Sequence, residues 1–263
     1  MDASRKGKII AFANQKGGVG KTTTSVNLAA AVAEKNKKVL VIDSDPQGNA
    51  SSGVGLKPKN RSPHLYHALS GKIKVSDIIH NTSHENMMIV PSAIDLVATE
   101  MELISVDKRE NYLKTLLDPI RYDFDYIFID CPPSLGLLTV NALTAANSVL
   151  IPMQCEYFAM EGLAQLINTI RSVKKSFNKE LYIEGLLLTM YDKRNRLTYQ
   201  VADEITKHFN KQVYKTVIPR NVRLSESPSH GKTILQYDYK SKGARAYQEL
   251  AGEFLNTRGN LSG

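Results

Sequence analysis

The sequence predicts an α/β fold: one doubly wound, mostly parallel sheet with helices on both faces. Three observations predict it. Short apolar runs alternate with longer segments of helical spacing along the 263 residues, as a parallel sheet with crossover helices requires. Several of these runs end in aspartate or in a turn rich in glycine and proline, which puts polar groups where the strands of an open sheet leave it. No repeat and no long linker interrupts the alternation. The chain therefore reads as one domain over residues 1–263, with a short arm at 1–7 and a tail at 257–263.

Residues 9–13, Ile-Ile-Ala-Phe-Ala, are the first buried strand, and residues 24–34 carry apolar side chains at helical spacing. Between them lies Gln15-Lys16-Gly17-Gly18-Val19-Gly20-Lys21-Thr22-Thr23. Strand, glycine-rich turn and helix in that order make a phosphate cradle. The glycines let several backbone N–H groups turn inward, and the helix N-terminus adds partial positive charge. In a P-loop of this kind Lys21 reaches the β- and γ-phosphates of a nucleotide and the Thr22 hydroxyl ligates Mg2+. The pattern G-x-x-x-x-G-K-[ST] fails at one position, because Gln15 stands where the first glycine belongs. An additional lysine, Lys16, follows it and need not be aimed at the nucleotide of its own subunit.

Residues 38–43 are a second buried strand, which runs into Ser44-Asp45-Pro46-Gln47-Gly48. Carboxylates at the C-terminal end of such a strand lie on the ligand side of a parallel sheet. Asp45 is placed to position or deprotonate an attacking water, and Asp43 to help organise the magnesium shell. A capping aspartate at a turn is the simpler alternative. Residues 49–63, with Gly53, Gly55, Pro58, Pro63, Lys57, Lys59 and Arg61, read as a mobile surface loop beside the site. Residues 64–69 and 75–79 read as short helices, 87–91 as a strand, and 94–117 as helix with a break near Val106-Asp107. His64, His67, His80 and His84 lack metal-site spacing, which leaves them packing or surface roles.

Residues 126–130, Tyr-Ile-Phe-Ile-Asp, end in Asp130 and match the second nucleotide motif of P-loop proteins, whose carboxylate holds the magnesium shell. Cys131-Pro132-Pro133-Ser134 follows, a stiff exit suited to sensing a γ-phosphate. Residues 148–153 are a strand, 159–177 a long amphipathic helix and 182–190 a further strand.

Hydrophobic residues make up 42% of the chain and charged residues 23%, ordinary values for a globular protein. No apolar run approaches membrane-spanning length, and residues 1–8 lack the apolar core of a signal peptide. Cys131 and Cys155 form no C-x-x-C pair, which fits two ordinary thiols in a reducing cytoplasm. The net charge of +8 is unevenly placed. Residues 1–170 carry 17 lysines and arginines against 17 acidic residues, whereas residues 171–263 carry 17 against 9. A basic last third suits a polyanionic partner, either nucleic acid or an anionic membrane, or a solvated face. Within it residues 213–217 read as a strand, 225–232 as a polar loop, and 239–245 as the lead into a closing helix that runs through Leu255. Arg194, Arg220, Arg223, Lys242 and Arg245 sit at loop ends and helix starts, positions suited to DNA phosphates rather than base edges.

The residues from Gln15 to Thr23 resemble the deviant Walker A motif of ParA/MinD-type ATPases. Three further stretches resemble its chromosome-partitioning ParA (Soj) branch. These are Asp43-Ser44-Asp45-Pro46-Gln47-Gly48-Asn49, Asp130-Cys131-Pro132-Pro133, and Ile218-Pro219-Arg220-Asn221-Val222-Arg223-Leu224-Ser225-Glu226. The match runs from about Lys8 to Leu255. The resemblance implies a cytoplasmic, nucleoid-associated ATPase that takes ATP and Mg2+ and forms an ATP-dependent sandwich homodimer. Lys16 would then reach the partner's nucleotide and Lys21 its own, within a cradle of Gly17, Gly18, Val19, Gly20, Thr22 and Thr23. Thr22 and Asp130 would serve the metal, Asp45 hydrolysis, and Pro219 and Asn221 would flank adenine. The dimer would bind double-stranded DNA without sequence preference, with Arg194 and Arg223 as the nearest counterparts of the basic contacts. A ParB-type centromere-binding partner would stimulate hydrolysis and release it. The first strand starts close to Met1, so the N-terminal DNA-binding extension of some plasmid relatives, and sequence-specific autorepression with it, is not expected.

Two rivals remain. A MinD-like cell-division ATPase would bind membrane through the closing helix, which carries a stripe of Tyr247, Leu250, Ala251, Phe254 and Leu255. Such a stripe more often docks on a sheet, and the ending Thr257-Arg258-Gly259-Asn260-Leu261-Ser262-Gly263 lacks the basic and bulky apolar mixture of a membrane helix, so no stable membrane binding is expected. An ATPase coupled to a metallocluster would need ligand cysteines that two isolated ones do not supply.

Overall fold

The computed structural model describes residues 6–104 and 106–256. Strand β1 (Lys8–Phe12) feeds helix α1 (Lys21–Ala33), and β2 (Val39–Asp43) follows. Next come α2 (Asn49–Gly53), α3 (Leu65–Leu69), the two-residue strand β3 (His80–Asn81) and β4 (Met87–Val90). Helices α4 (Val97–Glu102) and α5 (Tyr112–Leu117) precede β5 (Tyr126–Asp130). Then α6 (Leu137–Ala145), β6 (Ser148–Gln154), α7 (Ala159–Ser176) and β7 (Tyr182–Thr189) follow in turn. The chain closes with α8 (Arg196–Phe209), α9 (Val222–Glu226), α10 (Ile234–Tyr237) and α11 (Lys242–Asn256).

The strands form one sheet in the order β3-β4-β2-β5-β1-β6-β7, in which β3 is antiparallel to β4 and the other pairs are parallel. The central strands are buried on both faces, which explains their near-continuous apolar sequence. Helices α1, α10 and α11 cover one face, where Phe12, Tyr126, Phe128 and Phe254 interlock. The Phe128 and Phe254 rings meet almost perpendicularly with centroids 5.8 Å apart, an edge-to-face geometry that adds to their burial. Helices α3, α5, α6, α7 and α8 cover the other face through residues such as Leu113, Leu143, Leu166 and Ile205. The N-terminal end of the sheet is tied by a buried ion pair between Lys8 and Glu184, whose carboxylate also accepts from Ser148.

Register places the functional ends. Phe12 lies beside Asp130 across β1 and β5, and Asp43 lies beside Asp130 across β2 and β5. The three central strands therefore stop level, and the loops leaving them face one crevice.

Helix α1 starts three residues earlier than its apolar spacing indicates, at Lys21, so Lys21, Thr22 and Thr23 form its first turn. Residues 213–217 are not a strand. Tyr214 N donates to Leu186 O at 2.9 Å and Ile218 N to Leu188 O at 2.9 Å. Between them, Lys215 N and Thr216 N donate to the two oxygens of Glu253 on α11, at 2.7 and 2.9 Å, and the chain is drawn off the ladder. Residues 225–232 are not a loop either. Asn221 Oδ1 caps α9 by accepting from Arg223 N at 2.8 Å, and a 3-10 turn over Ser227–His230 continues it. The predicted loop at 49–63 is held down: α2 occupies its start, and buried Arg61 donates to Leu56 O, Ser92 O and Ser52 Oγ. Helices α6 and α8 and strand β3 carried no signal that was read from the sequence. The N-terminal arm and the tail lie almost wholly outside the described residues.

Phe254→Ala is expected to remove about 3–5 kcal/mol of stability by opening the aromatic cluster. Leu255→Ala, on the half-buried side of the same helix, costs clearly less. Urea unfolding midpoints of the two variants and the parent measure the difference.

Candidate nucleotide site

The turn between β1 and α1 is built from fixed anchors and a few freely conforming residues. Asn14 Nδ2 donates to Pro152 O of β6 at 2.9 Å, and Asn14 Oδ1 accepts from Lys16 N at 3.0 Å. From β7, Thr189 Oγ1 donates to Val19 O at 2.8 Å. Between these anchors Gly18 (φ 74°) and Gly20 (φ 83°) take left-handed conformations that side chains with a Cβ resist. Lys21 is 6% exposed, and its Nζ donates to Lys16 O at 3.0 Å. Burial lowers its pKa, and the charges of Asp130, Cys131 and Asp45 oppose that shift.

Two aspartates stand abreast beyond this turn. Asp43, expected to help organise the magnesium shell, has both carboxylate oxygens engaged in hydrogen bonds. Its Oδ2 accepts from Ser51 N at 2.8 Å and Ser51 Oγ at 2.6 Å, and its Oδ1 accepts from Asp45 N at 3.3 Å. Asp43 thereby pins the start of α2 and aims the Asp45 loop. Burial, only partly offset by Ser51, pushes it up to about 6. Asp130 is fully buried, and neither carboxylate oxygen completes a hydrogen bond. Burial first and the charge of Asp43 second push it up to about 8, against the nearby hydroxyls of Thr22 and Ser25. A buried carboxylate left without partners costs free energy that a cation would recover. Its oxygens, the Thr22 hydroxyl and the neighbouring Asp45 are the hard donors that Mg2+ takes, so these residues fit that metal.

Gly17, Gly18, Gly20, Lys21, Thr22, Thr23 and Asp45 line one cavity of about 370 Å3. It adjoins a second, of about 410 Å3, which contains Pro219 and Asn221. The two share Gly20, Thr23, Met190 and Pro228. Val19 is buried behind the turn, and Lys16 lies outside the first cavity in a neighbouring concavity with Gln15, Pro133 and Phe158. Sequence reasoning missed part of the wall: Met190, Ser227, Pro228 and Lys232. The 227–232 segment is brought in by Gly231, which packs so closely on Gly55 that a Cβ on Gly231 would lie 2.7 Å from Gly55 Cα. A larger concavity, about 960 Å3 between α3 and α5, shares no residue with this site. Both cysteines are buried and free. Burial raises the Cys155 thiol to about 11 and pushes Cys131 higher still, which leaves neither a ready nucleophile.

The five predicted DNA contacts come from three segments that meet. Arg220 N donates to Tyr191 O at 3.2 Å, which sets the 191–194 turn beside Arg220 and Arg223. Leu224 packs on Gly243, which sets Lys242 and Arg245 at the start of α11 beside α9. Arg194 is paired with Asp192 at 2.9 Å, and Arg223 with Glu226 at 2.9 Å and Asp238 at 3.6 Å. All five arginines and lysines are exposed.

A family model described as an AAA domain matches residues 7–183. The chain is 56% identical over 247 residues to the sporulation initiation inhibitor protein Soj of Bacillus subtilis, covering 94% of this chain and 98% of that protein. It is 48% identical over 249 residues to the chromosome-partitioning ATPase Soj of Treponema pallidum, covering 95% and 97%. Among solved structures, a cobyrinic acid a,c-diamide synthase from Mycobacterium smegmatis with bound ATP analogue and magnesium superposes with a TM-score of 0.82. That pair is 37% identical, and the match covers 94% of this chain and 93% of the other.

The raised carboxylates fix the sign of a pH dependence. Unfolded aspartates are ionised above pH ~4, whereas folded Asp43 and Asp130 hold their protons to about 6 and about 8. Between those values the folded state binds more protons, so nucleotide-free stability falls as pH rises from 5 to 8. Asp130→Asn is expected to flatten the upper part of that fall. Melting temperatures of both proteins from pH 5 to 9, without nucleotide, provide the comparison.

Proposed function

The chain belongs to the Soj/ParA family of chromosome-partitioning ATPases, and from that premise we propose a nucleotide-gated DNA carrier. In this reading the protein is an ATPase whose MgATP-bound form pairs into a sandwich dimer and binds double-stranded DNA without sequence preference. Hydrolysis, stimulated by a ParB-type centromere-binding partner, releases it. Its place would be the cytoplasm, on the nucleoid.

The observation that carries the reading is the continuity of the two cavities with the basic segments. The cavity of Gly17 to Thr23 opens into the one lined by Pro219 and Asn221, and Arg220 belongs to that second wall. A nucleotide that spans both would touch the residues that hold the DNA-facing cations.

Each residue then has a part in the hydrolysis. The N–H groups of Gly17 to Thr23 cradle the phosphates, and the Lys21 ammonium neutralises charge as the terminal bond breaks. Mg2+, when bound, offsets phosphate charge, and Thr22 and Asp130 are the residues that would hold it. Asp45 orients the attacking water and accepts its proton. Its own Oδ1 is steadied by Gln47 N at 3.0 Å. Lys16 serves the nucleotide of the partner subunit, and Pro219 and Asn221 flank the base.

The membrane alternative finds no support in α11. Tyr247, Leu250, Ala251 and Phe254 are buried against α1 and the sheet. Among the described residues, no helix is long and apolar enough to cross a membrane.

Asp45→Ala is expected to lower ATP turnover by about 10²-fold or more while the MgATP dimer persists on DNA; phosphate release and gel shifts read the two effects. Lys16→Ala should abolish the ATP-dependent dimer while nucleotide still binds, as sedimentation with and without MgATP would report. Wild-type protein should bind random duplex DNA in MgATP but not in ADP, with affinity falling steeply in salt. Arg223→Ala should reduce the slope of log affinity against log salt by about 0.9 if that side chain meets one phosphate.

A further inference from the structure

The two lysines of the β1–α1 turn are held in opposite ways. Lys21 is fixed by burial, whereas Lys16 is fixed by one exposed carboxylate. The Lys16 ammonium forms an ion pair with Glu156 in the turn between β6 and α7, and the two side chains are 41% and 42% exposed.

The backbone at both ends of this pair is immobilised on the same strand. Asn14 joins Lys16 N to Pro152 O. Glu156 N donates to Gln154 O, and Glu156 O accepts from Ala159 N, both at 2.9 Å. The Lys16 carbonyl is occupied by Lys21. What remains free to move is the two side chains. Beside them Tyr157 and Phe158 stand out 77% and 65% exposed with their rings in contact, and Phe158 shares a concavity with Lys16.

We propose that Glu156 is the positioning residue of Lys16. It holds the ammonium against its own subunit, and a second copy carrying a nucleoside triphosphate must draw the ammonium away before the dimer closes. This rests on the reading that Lys16 acts on the partner's nucleotide. The physics is a competition for one cation. An exposed carboxylate with a single charge holds Lys16 weakly, and a polyphosphate with several charges outbids it. A diphosphate has less charge to offer and leaves the pair closed. Glu156 thus sets how much nucleotide charge is needed for pairing.

The test is the dimer dissociation constant by sedimentation with magnesium and the non-hydrolysable analogue AMP-PNP. Two exposed pairs break per dimer, so Glu156→Gln should tighten the dimer by roughly two- to thirty-fold. Glu156→Asp, which keeps the charge, should return toward the parent value. The gain should shrink as salt rises. Glu161→Gln, the same charge change in the first turn of α7, should give clearly less. An unchanged or weakened Glu156→Gln dimer, or an equal gain in Glu161→Gln, overturns the proposal. Lys16→Ala separates it from the reading beneath it. If Lys16→Ala pairs like the parent, the role of Lys16 at the partner's nucleotide fails. If Lys16→Ala abolishes pairing and Glu156→Gln tightens nothing, only the role of Glu156 fails. Adding Glu156→Gln to Lys16→Ala should restore no dimer, and restoration would show that Glu156 opposes pairing without Lys16.

Discussion

Asp43 and Asp130 lie side by side because β2 and β5 are in register and stop level, and both are fully buried. Two carboxylates in that position repel each other and lose their hydration, so neither can ionise freely. The protein resolves this unequally. Asp43 is satisfied by Ser51, and Asp130 is left without hydrogen bonds. The asymmetry divides the pair: one carboxylate builds the wall, and in the proposed function the other meets the magnesium. The loops around it are anchored by Asn14, which is tied to β6, by Thr189 of β7 and by Arg61 behind α2.

The basic residues are arranged on a different principle. Arg194 and Arg223 are exposed and already paired with acidic neighbours. Exposed pairs of this sort are worth at most about 1 kcal/mol, so a phosphate can replace a carboxylate at little cost. In the proposed function the cations are therefore kept neutralised but available. The segment that carries Arg220, Asn221 and Arg223 also walls the second cavity. A ligand there and a polyanion outside would share one short stretch of backbone.

Much of this was legible in the sequence because strand ends and turn residues are local signals. The β1 run, the glycine turn and Lys21 follow one another directly, and Asp45 and Asp130 each end or follow an apolar run. What escaped depends on contacts distant in sequence. Ser51 as the partner of Asp43 requires α2 to fold back, and nothing in residues 49–63 announces Arg61 as a buried anchor. Residues 213–217 have the composition of a strand, yet Glu253, 37 or 38 positions away, takes two of their N–H groups. Helix α6 is buried nearly all round, so it lacks the amphipathic period by which a helix is recognised. The ion pair of Lys16 with Glu156 spans 140 positions and could be seen only once β1 and β6 were known to be neighbours.

The diversion of residues 213–218 by Glu253 also decides how the sheet ends. β7 is its last strand, and an outermost strand with free carbonyls invites a foreign chain to extend it. Here Leu186 and Leu188 already accept from Tyr214 and Ile218, while the stretch between is bowed outward and offers no ladder of its own. At the far border β3 is only two residues long. Both sides of the sheet are thereby blunted against edge-to-edge extension. In the proposed function, pairing is then left to the nucleotide crevice, and the sheet edges offer no route to fibres.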